Sequence, residues 1–119
     1  MSDLNFLDND DLLDRLEVIE NKILERGDLS EHVPCNYYDF SLNVVESEGK
    51  PRLAVDIFSD EDNFDAAAVN WDMVAGTLID RLEDAEFFGF AQETLGRPVE
   101  TDRVLCLSAD DFVKEARFG

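Results

Sequence analysis

Two runs of alternating apolar residues in the first half of the chain place the strongest constraint on its fold. Apolar side chains occupy every second position on either side of a turn at Ser47–Lys50, and they are Tyr38, Phe40, Leu42, Val44, Leu53, Val55 and Ile57. Alternation of period two is typical of strands buried on one face, and Gly49 suits the turn that joins them. The pattern therefore predicts an antiparallel β-hairpin.

Three further segments have the spacing of helices. The first begins at Asp8–Asp11, where an Asp or Asn side chain can cap the helix, and ends at Gly27. Its apolar stripe consists of Leu12, Leu16, Ile19 and Ile23. A second helix is predicted from about Asp65 to Glu83, with Trp71 in its core, and a short third helix follows the aromatic corner Phe87–Phe90.

The last part of the chain is predicted to be a strand and a closing helix. Val104–Leu107 is apolar at every position, as expected of a central strand covered on both faces. Ser108 and Asp111 resemble a capping box, which favours a helix around Phe112. The order α-β-β-α-α-β-α predicts one small α+β domain over residues 1–119, with a hairpin and one further strand packed against helices.

The charge of the chain restricts its partners. It has 29 acidic and 10 basic residues, a formal net charge of −19, and residues 1–65 contribute −13 of that total. Nucleic acid and anionic membranes require a cationic footprint, so neither is expected as a direct ligand. A content of 45% apolar residues, with nine Phe, argues against a disordered acidic tail. The expected partner is a protein with a basic surface.

No motif for catalysis or metal binding is found. A calcium loop of the EF-hand type beginning at Asp60 would place Phe64 at a ligand position, Asp65 where glycine is required, and Trp71 where the bidentate Glu belongs. The usual nucleophile, phosphate-loop and zinc signatures are absent from the sequence. We expect no enzyme activity, no metal and no cofactor.

The cysteines and the N-terminus indicate the compartment in which the protein is expected. Cys35 and Cys106 are far apart in the sequence and are expected to be reduced, and a Cys35–His32 pair has no identifiable third group to orient it. The first residues are acidic where a signal peptide would be basic, and no apolar run approaches the length of a membrane span. These features predict a cytoplasmic protein.

Two acidic segments are candidates for binding a partner. The first is a row on the outer face of the first helix, and the second is the loop that leaves the hairpin with two Phe among its acids. The candidate partner-binding residues are Asp10, Asp14, Glu17, Asp56, Phe58, Asp60, Glu61, Asp62, Phe64 and Asp65. The sequence does not indicate whether the two segments share one face.

Several functions are consistent with such a surface. One is an inhibitor of the anti-restriction or anti-CRISPR type, whose acids imitate the phosphates of DNA and occupy a basic groove. An alternative is an immunity protein or antitoxin that blocks a basic nuclease toxin, with aromatic anchors among the acids. Others are a secretion chaperone, which would be a dimer, and an accessory domain whose acidity serves salt adaptation or solubility alone. The sequence leaves the oligomeric state open.

Overall fold

The chain folds into a mixed five-stranded sheet with its helices on one face. The structure is a computed structural model that describes residues 5–7, 9–35, 37–62, 64–108 and 111–117. The predicted α+β class is confirmed. In chain order the elements are β1 (Asn5–Phe6), α1 (Asp10–Arg26), β2 (Asp39–Ser47), β3 (Lys50–Phe58), a 3-10 turn (Ala66–Ala68), α2 (Trp71–Asp84), α3 (Phe87–Leu95), β4 (Glu100–Ser108) and β5 (Asp111–Arg117).

The strands lie in the sheet in chain order. All neighbours are antiparallel except β3 and β4, which are parallel and are connected by the crossover through α2 and α3. The predicted hairpin is confirmed: β2 and β3 pair continuously from Asp39 opposite Phe58 to Ser47 opposite Lys50. Glu48 and Gly49 form its turn with positive φ angles of 58° and 78°, a conformation that glycine adopts without steric cost.

Helix α1 has the caps that its sequence predicts. The Asn9 side chain accepts hydrogen bonds from the backbone N–H groups of Asp11 and Leu12, at 3.0 and 3.2 Å. At the other end Gly27 has a φ of 67° and donates to carbonyls of the last turn. The buried residues of the helix are the predicted stripe of Leu12, Leu16, Ile19 and Ile23.

A single core lies between the helices and the facing side of the sheet. Its strand residues are Phe40, Leu42, Val44, Leu53, Val55, Ile57, Val104, Cys106 and Ala116. Trp71 is buried in this core, as predicted, and its ring N–H donates to the carbonyl of Ala66 at 2.9 Å. The aromatic corner also packs on the core, since Phe87 is fully buried and Phe88 and Phe90 lie against it.

The other face of the sheet has a smaller apolar cluster. Val45, Ala54, Leu105 and Leu107 are all buried there, so β4 is covered on both faces as its sequence predicts. Both cysteines are free thiols; Cys35 is half-buried, and burial raises the pKa of the Cys106 thiol to about 12. No helix in the described part of the chain is both long and apolar enough to cross a membrane.

Two predictions of secondary structure are wrong, and one short strand was not predicted. The second helix does not begin at Asp65, because the Asp65 carboxylate caps a separate 3-10 turn and Asn70 then caps α2. The predicted closing helix is the strand β5, with Ser108 paired to Asp111 instead of capping a helix. The short strand β1 was not predicted, because two residues carry no periodic signal.

Candidate protein-binding surface

The acids of α1 lie on its solvent side. Asp10, Asp14, Glu17 and Glu25 are all exposed, opposite the stripe that packs on the sheet. Asp10, Asp14 and Glu17 therefore follow one another on one face of the helix, as the 3.6-residue spacing predicts, and Glu25 lies on the same face beyond Asn21.

The basic residues of α1 lie on a different flank. Arg15, Lys22 and Arg26 line a groove of about 600 Å³ between α1 and the end of α2. The Arg15 guanidinium lies 4.0 Å from the centre of the Phe90 ring, a cation–π contact that directs it toward α3. The basic side chains of the helix thus lie on one flank, and Asp14 of the outer row also lines this groove.

Glu20 and Asp39 connect the helix row to the start of the hairpin. The Glu20 carboxylate accepts a hydrogen bond from the backbone N–H of Leu42 at 2.7 Å, which places it against the outer edge of β2. Burial raises the pKa of Glu20 above its ordinary value, and the nearby charges of Asp39 and Glu17 raise it further, although the bond from Leu42 opposes the shift. Three carboxylates from two elements therefore share one electrostatic environment.

The pKa shift of Glu20 gives a test of this arrangement. A carboxyl group with a raised pKa in the folded state destabilises the fold as pH rises through that pKa, because the folded protein then loses a proton that it binds more tightly than the unfolded chain. We expect Glu20→Gln to raise the melting temperature at neutral pH. The gain should vanish as pH falls below 4.5, the ordinary pKa of the group. The measurement is thermal unfolding of both proteins as a function of pH.

Glu17→Gln is the matched control for that experiment. It removes a neighbouring charge but leaves the half-buried Glu20 carboxylate, whose desolvation is the largest cause of the shift, so its effect should be smaller. A Glu20→Gln protein that is less stable than the parent at neutral pH would show that the ionised hydrogen bond outweighs desolvation and repulsion.

The acidic loop after β3 packs against the segment that precedes β2. The Glu61 carboxylate accepts from the backbone N–H of Tyr37, and the Ser59 hydroxyl donates to the Tyr37 carbonyl, each at 2.5 Å. Asp60 and Asp62 remain exposed. These bonds fix the loop beside the first residues of β2, which is where Asp39 lies.

A shallow cleft lies where these segments meet. It has a volume of about 430 Å³ and is lined by Tyr37, Tyr38, Asp39, Phe58, Ser59, Asp60 and Glu61. The Tyr37 side chain is 79% exposed and that of Phe58 is 42% exposed, two of the most accessible large apolar groups in the described residues. We call this the Tyr37–Phe58 cleft. It combines aromatic surface with three carboxylates.

The remaining predicted residues lie elsewhere. Asp56 is half-buried on the sheet face away from the helices, between Ser41 of β2 and Leu107 of β4. Phe64 is half-buried against the core, and the Asp65 carboxylate is engaged with the 3-10 turn at 3.0 Å from the N–H of Ala67. The structure therefore does not place these three side chains with the other candidates.

The ion pairs of the protein are concentrated at the opposite end of the sheet. Near the β2–β3 turn, Arg103 bonds with Glu48, Asp102 and Glu115, while Arg52 pairs with Asp102 and Arg97 with Glu46. These contacts lower the pKa values of Glu48 and Asp102 through hydrogen bonds from Arg103 and Arg52, respectively. Basic side chains thus neutralise the turn end of the sheet.

In the described part of the chain, the acids beside the Tyr37–Phe58 cleft and on the outer face of α1 lack such ion pairs. Within the described residues, no salt bridge involves Asp10, Asp14, Glu17, Glu20, Asp39, Asp60 or Glu61. We call these seven residues the acidic ridge. It runs from the outer face of α1, through Glu20 and Asp39, to the Tyr37–Phe58 cleft. Glu20, whose pKa is raised by the charges of both Asp39 and Glu17, joins the helix row to the acids of the cleft.

Three residues of this surface were missed in the sequence. Glu20 lies outside the outer row of α1, Asp39 is in an alternating strand, and Tyr37 belongs to a connector without a recognisable pattern. The sequence signal for Asp39 and Tyr37 was their position at the entry of the hairpin, opposite the acidic exit, because the two ends of a hairpin lie side by side.

Comparison with known proteins adds no functional information. The chain matches no known protein family, no curated protein and no solved structure. Among the residues that the structure describes, no cluster of His, Cys, Asp or Glu side chains is arranged to hold a metal ion.

Proposed function

We propose that this protein is an inhibitor that binds the basic surface of a nucleic-acid-processing protein through the acidic ridge. The observation that carries the proposal is the ridge itself: seven carboxylates from three segments, none of them in a salt bridge within the described residues, next to two exposed aromatic side chains. Clustered like charges without partners oppose folding, so their arrangement is accounted for by an external cationic partner. A basic groove that normally holds DNA or RNA supplies such charges.

The spacing of the acids on α1 also supports the proposal. Neighbouring carboxylates on one helix face are separated by about 5–6 Å, and the phosphates of one DNA strand by about 3.4 Å along the axis. The spacing of the carboxylates need not equal that of the phosphates at every position, because the long Arg and Lys side chains of a groove can adjust their conformations. Electrostatic steering would accelerate association with the groove, as it does for nucleic acid.

Binding to purified basic nucleases tests the proposal. We expect the protein to bind at least one such enzyme, to compete with a labelled DNA duplex, and to lose at least about tenfold in affinity between about 50 mM and about 200 mM salt. Neutralising three acids together, by Asp39→Asn, Asp60→Asn and Glu61→Gln, should weaken binding by about 100-fold. Isothermal titration calorimetry measures both effects.

The control variant has the same change in net charge at another site. Asp80→Asn, Glu83→Gln and Glu93→Gln neutralise three exposed acids of α2 and α3 outside the ridge. The proposal predicts nearly unchanged affinity for this variant. Equal losses in the two triple variants would show that only total charge matters, and affinity that is insensitive to salt would refute the ridge as the binding surface.

A second function is favoured by the Tyr37–Phe58 cleft. Two exposed aromatic side chains among Asp39, Asp60 and Glu61 could seat a single Lys or Arg of a toxin active site, as an immunity protein would. The two functions differ in their dependence on the helix row. Neutralising Asp10 and Asp14 should weaken a DNA-mimicking inhibitor, but it should leave an immunity protein that uses the cleft alone nearly unaffected.

A further inference from the structure

The outer edge of β2 is only partly paired. The short strand β1 covers Val45 and Glu46, and the N–H of Leu7 donates to the carbonyl of Val44 at 2.9 Å. Beyond this point, from Asp39 to Asn43, no strand in the described part of the chain pairs with that edge. An unpaired edge is a template for an additional strand.

Two carboxylates occupy the hydrogen-bonding positions of this edge. The backbone groups of a strand alternate in direction, so the N–H groups of Phe40 and Leu42 point to the same side as the Val44 carbonyl. The N–H of Phe40 donates to the Asp39 carboxylate at 2.8 Å, and that of Leu42 donates to the Glu20 carboxylate at 2.7 Å. Each acid stands where the carbonyl of a neighbouring strand would stand.

We propose that the free edge of β2 from Asp39 to Asn43 accepts an extended, Lys- or Arg-rich segment of the partner as an added strand. Glu20 and Asp39 then exchange their bonds to the two amides for ion pairs with the cations of that segment, while carbonyls of the segment take over the amides. This inference rests on the proposed function and specifies how the ridge is used. Strand addition is a recurrent mode of peptide recognition.

Charge decides which strand can be added. A second copy of this chain would bring its own Glu20 and Asp39 against the same residues, so pairing of two β2 edges is disfavoured. A cationic strand instead meets Glu20 and Glu17 on the helix side and Asp39 at the entry of the strand. Side chains of a strand alternate between its two faces. Cations at every second position of the added strand therefore all lie on one face, where they can pair with the acids on that side.

Synthetic peptides test the added strand directly. The probe is a fluorescent peptide of about eight residues with alternating Lys and Val. Two derivatives are methylated on backbone amide nitrogens, one at every Lys and the other at every Val. Methylation preserves the charge of the peptide but removes the backbone N–H donors of those residues. Because backbone N–H groups alternate in direction along a strand, either those of the Lys residues or those of the Val residues face β2. We therefore expect one derivative to bind at least about tenfold more weakly than the other, and the amide signals of Phe40 and Leu42 to shift when the parent peptide binds.

Each outcome decides a separate point. If both derivatives bind as tightly as the parent, the contact is by charge alone and strand addition is refuted, while the ridge remains as a binding surface. If no peptide binds but a basic nuclease does, the edge is not the site, and Glu20 and Asp39 only protect it from aggregation. If neither peptides nor nucleases bind, the proposed function fails together with this inference.

Discussion

Replacing Phe87 by Ala is expected to lower the free energy of unfolding by about 3–5 kcal/mol, the usual range for a fully buried Phe. The side chain has no exposed surface and begins α3 at the corner after α2. Its ring also meets that of Phe88 edge-on, with centres 5.9 Å apart and planes at 73°. The substitution would leave a cavity between the helices and the sheet. Urea unfolding followed by circular dichroism measures the loss.

Phe58→Ala is the matched control, because it removes the same side chain from an exposed position at the end of β3. Its effect on stability should be below about 1 kcal/mol. If Phe87→Ala costs no more than Phe58→Ala, the aromatic corner does not contribute to the core and the packing of α3 must be reconsidered. The net charge of −19 lowers the free energy of unfolding, because self-repulsion opposes the compact state, so a loss of this size is a large fraction of it.

Removing both aromatic side chains of the cleft, by Tyr37→Ala and Phe58→Ala, is expected to weaken partner binding by about 30- to 100-fold. This corresponds to two interface residues that each contribute about 1 kcal/mol or more. Hydrogen bonds to Glu61 and Ser59 hold the backbone of Tyr37, so binding has to order its side chain but not its main chain. Calorimetric titration with a basic nuclease that binds the parent protein measures the loss.

Met73→Ala provides the control for this second substitution. Met73 is 51% exposed on α2 and lies outside the cleft. Its removal should change neither affinity nor stability appreciably. An equal loss of affinity for Met73→Ala would place the partner on α2. Retained affinity after loss of both aromatic rings would restrict recognition to the charges of the acidic ridge.

The features that the sequence predicted well are those set by local pattern. The β2–β3 hairpin, the Gly27 cap and the burial of Trp71 follow from periodicity and from backbone preferences that act over a few residues. The outer row of α1 belongs to the same class, because the stripe that packs on the sheet determines which face remains in water.

The strand β5 could not be predicted in this way. Ser108 and Asp111 have the spacing of a capping box, but the ladder with β4, which pairs Ser108 with Asp111 and Arg103 with Arg117, determines their conformation. Such pairing depends on where the crossover through α2 and α3 places β4. Tertiary context of this kind overrides local preference in short segments.

The continuity of the acidic ridge is a tertiary property too. Glu20 approaches Asp39 only because α1 packs beside β2. The two residues are 19 positions apart in the chain, and no periodicity connects them. The basic flank of α1 was not predicted, because its groove forms only where α1 meets the end of α2.

The different surroundings of the two cysteines give the natural protein a built-in position for a spectroscopic probe. Cys106 lies in the core with its thiol pKa raised to about 12, so it presents almost no reactive thiolate to a maleimide dye at neutral pH. Cys35 is half-buried, and its sulfur lies 3.4 Å from the Tyr37 carbonyl, beside the cleft. A fluorophore can therefore be attached at one site without mutagenesis, at a position that reports on the arrival of a partner.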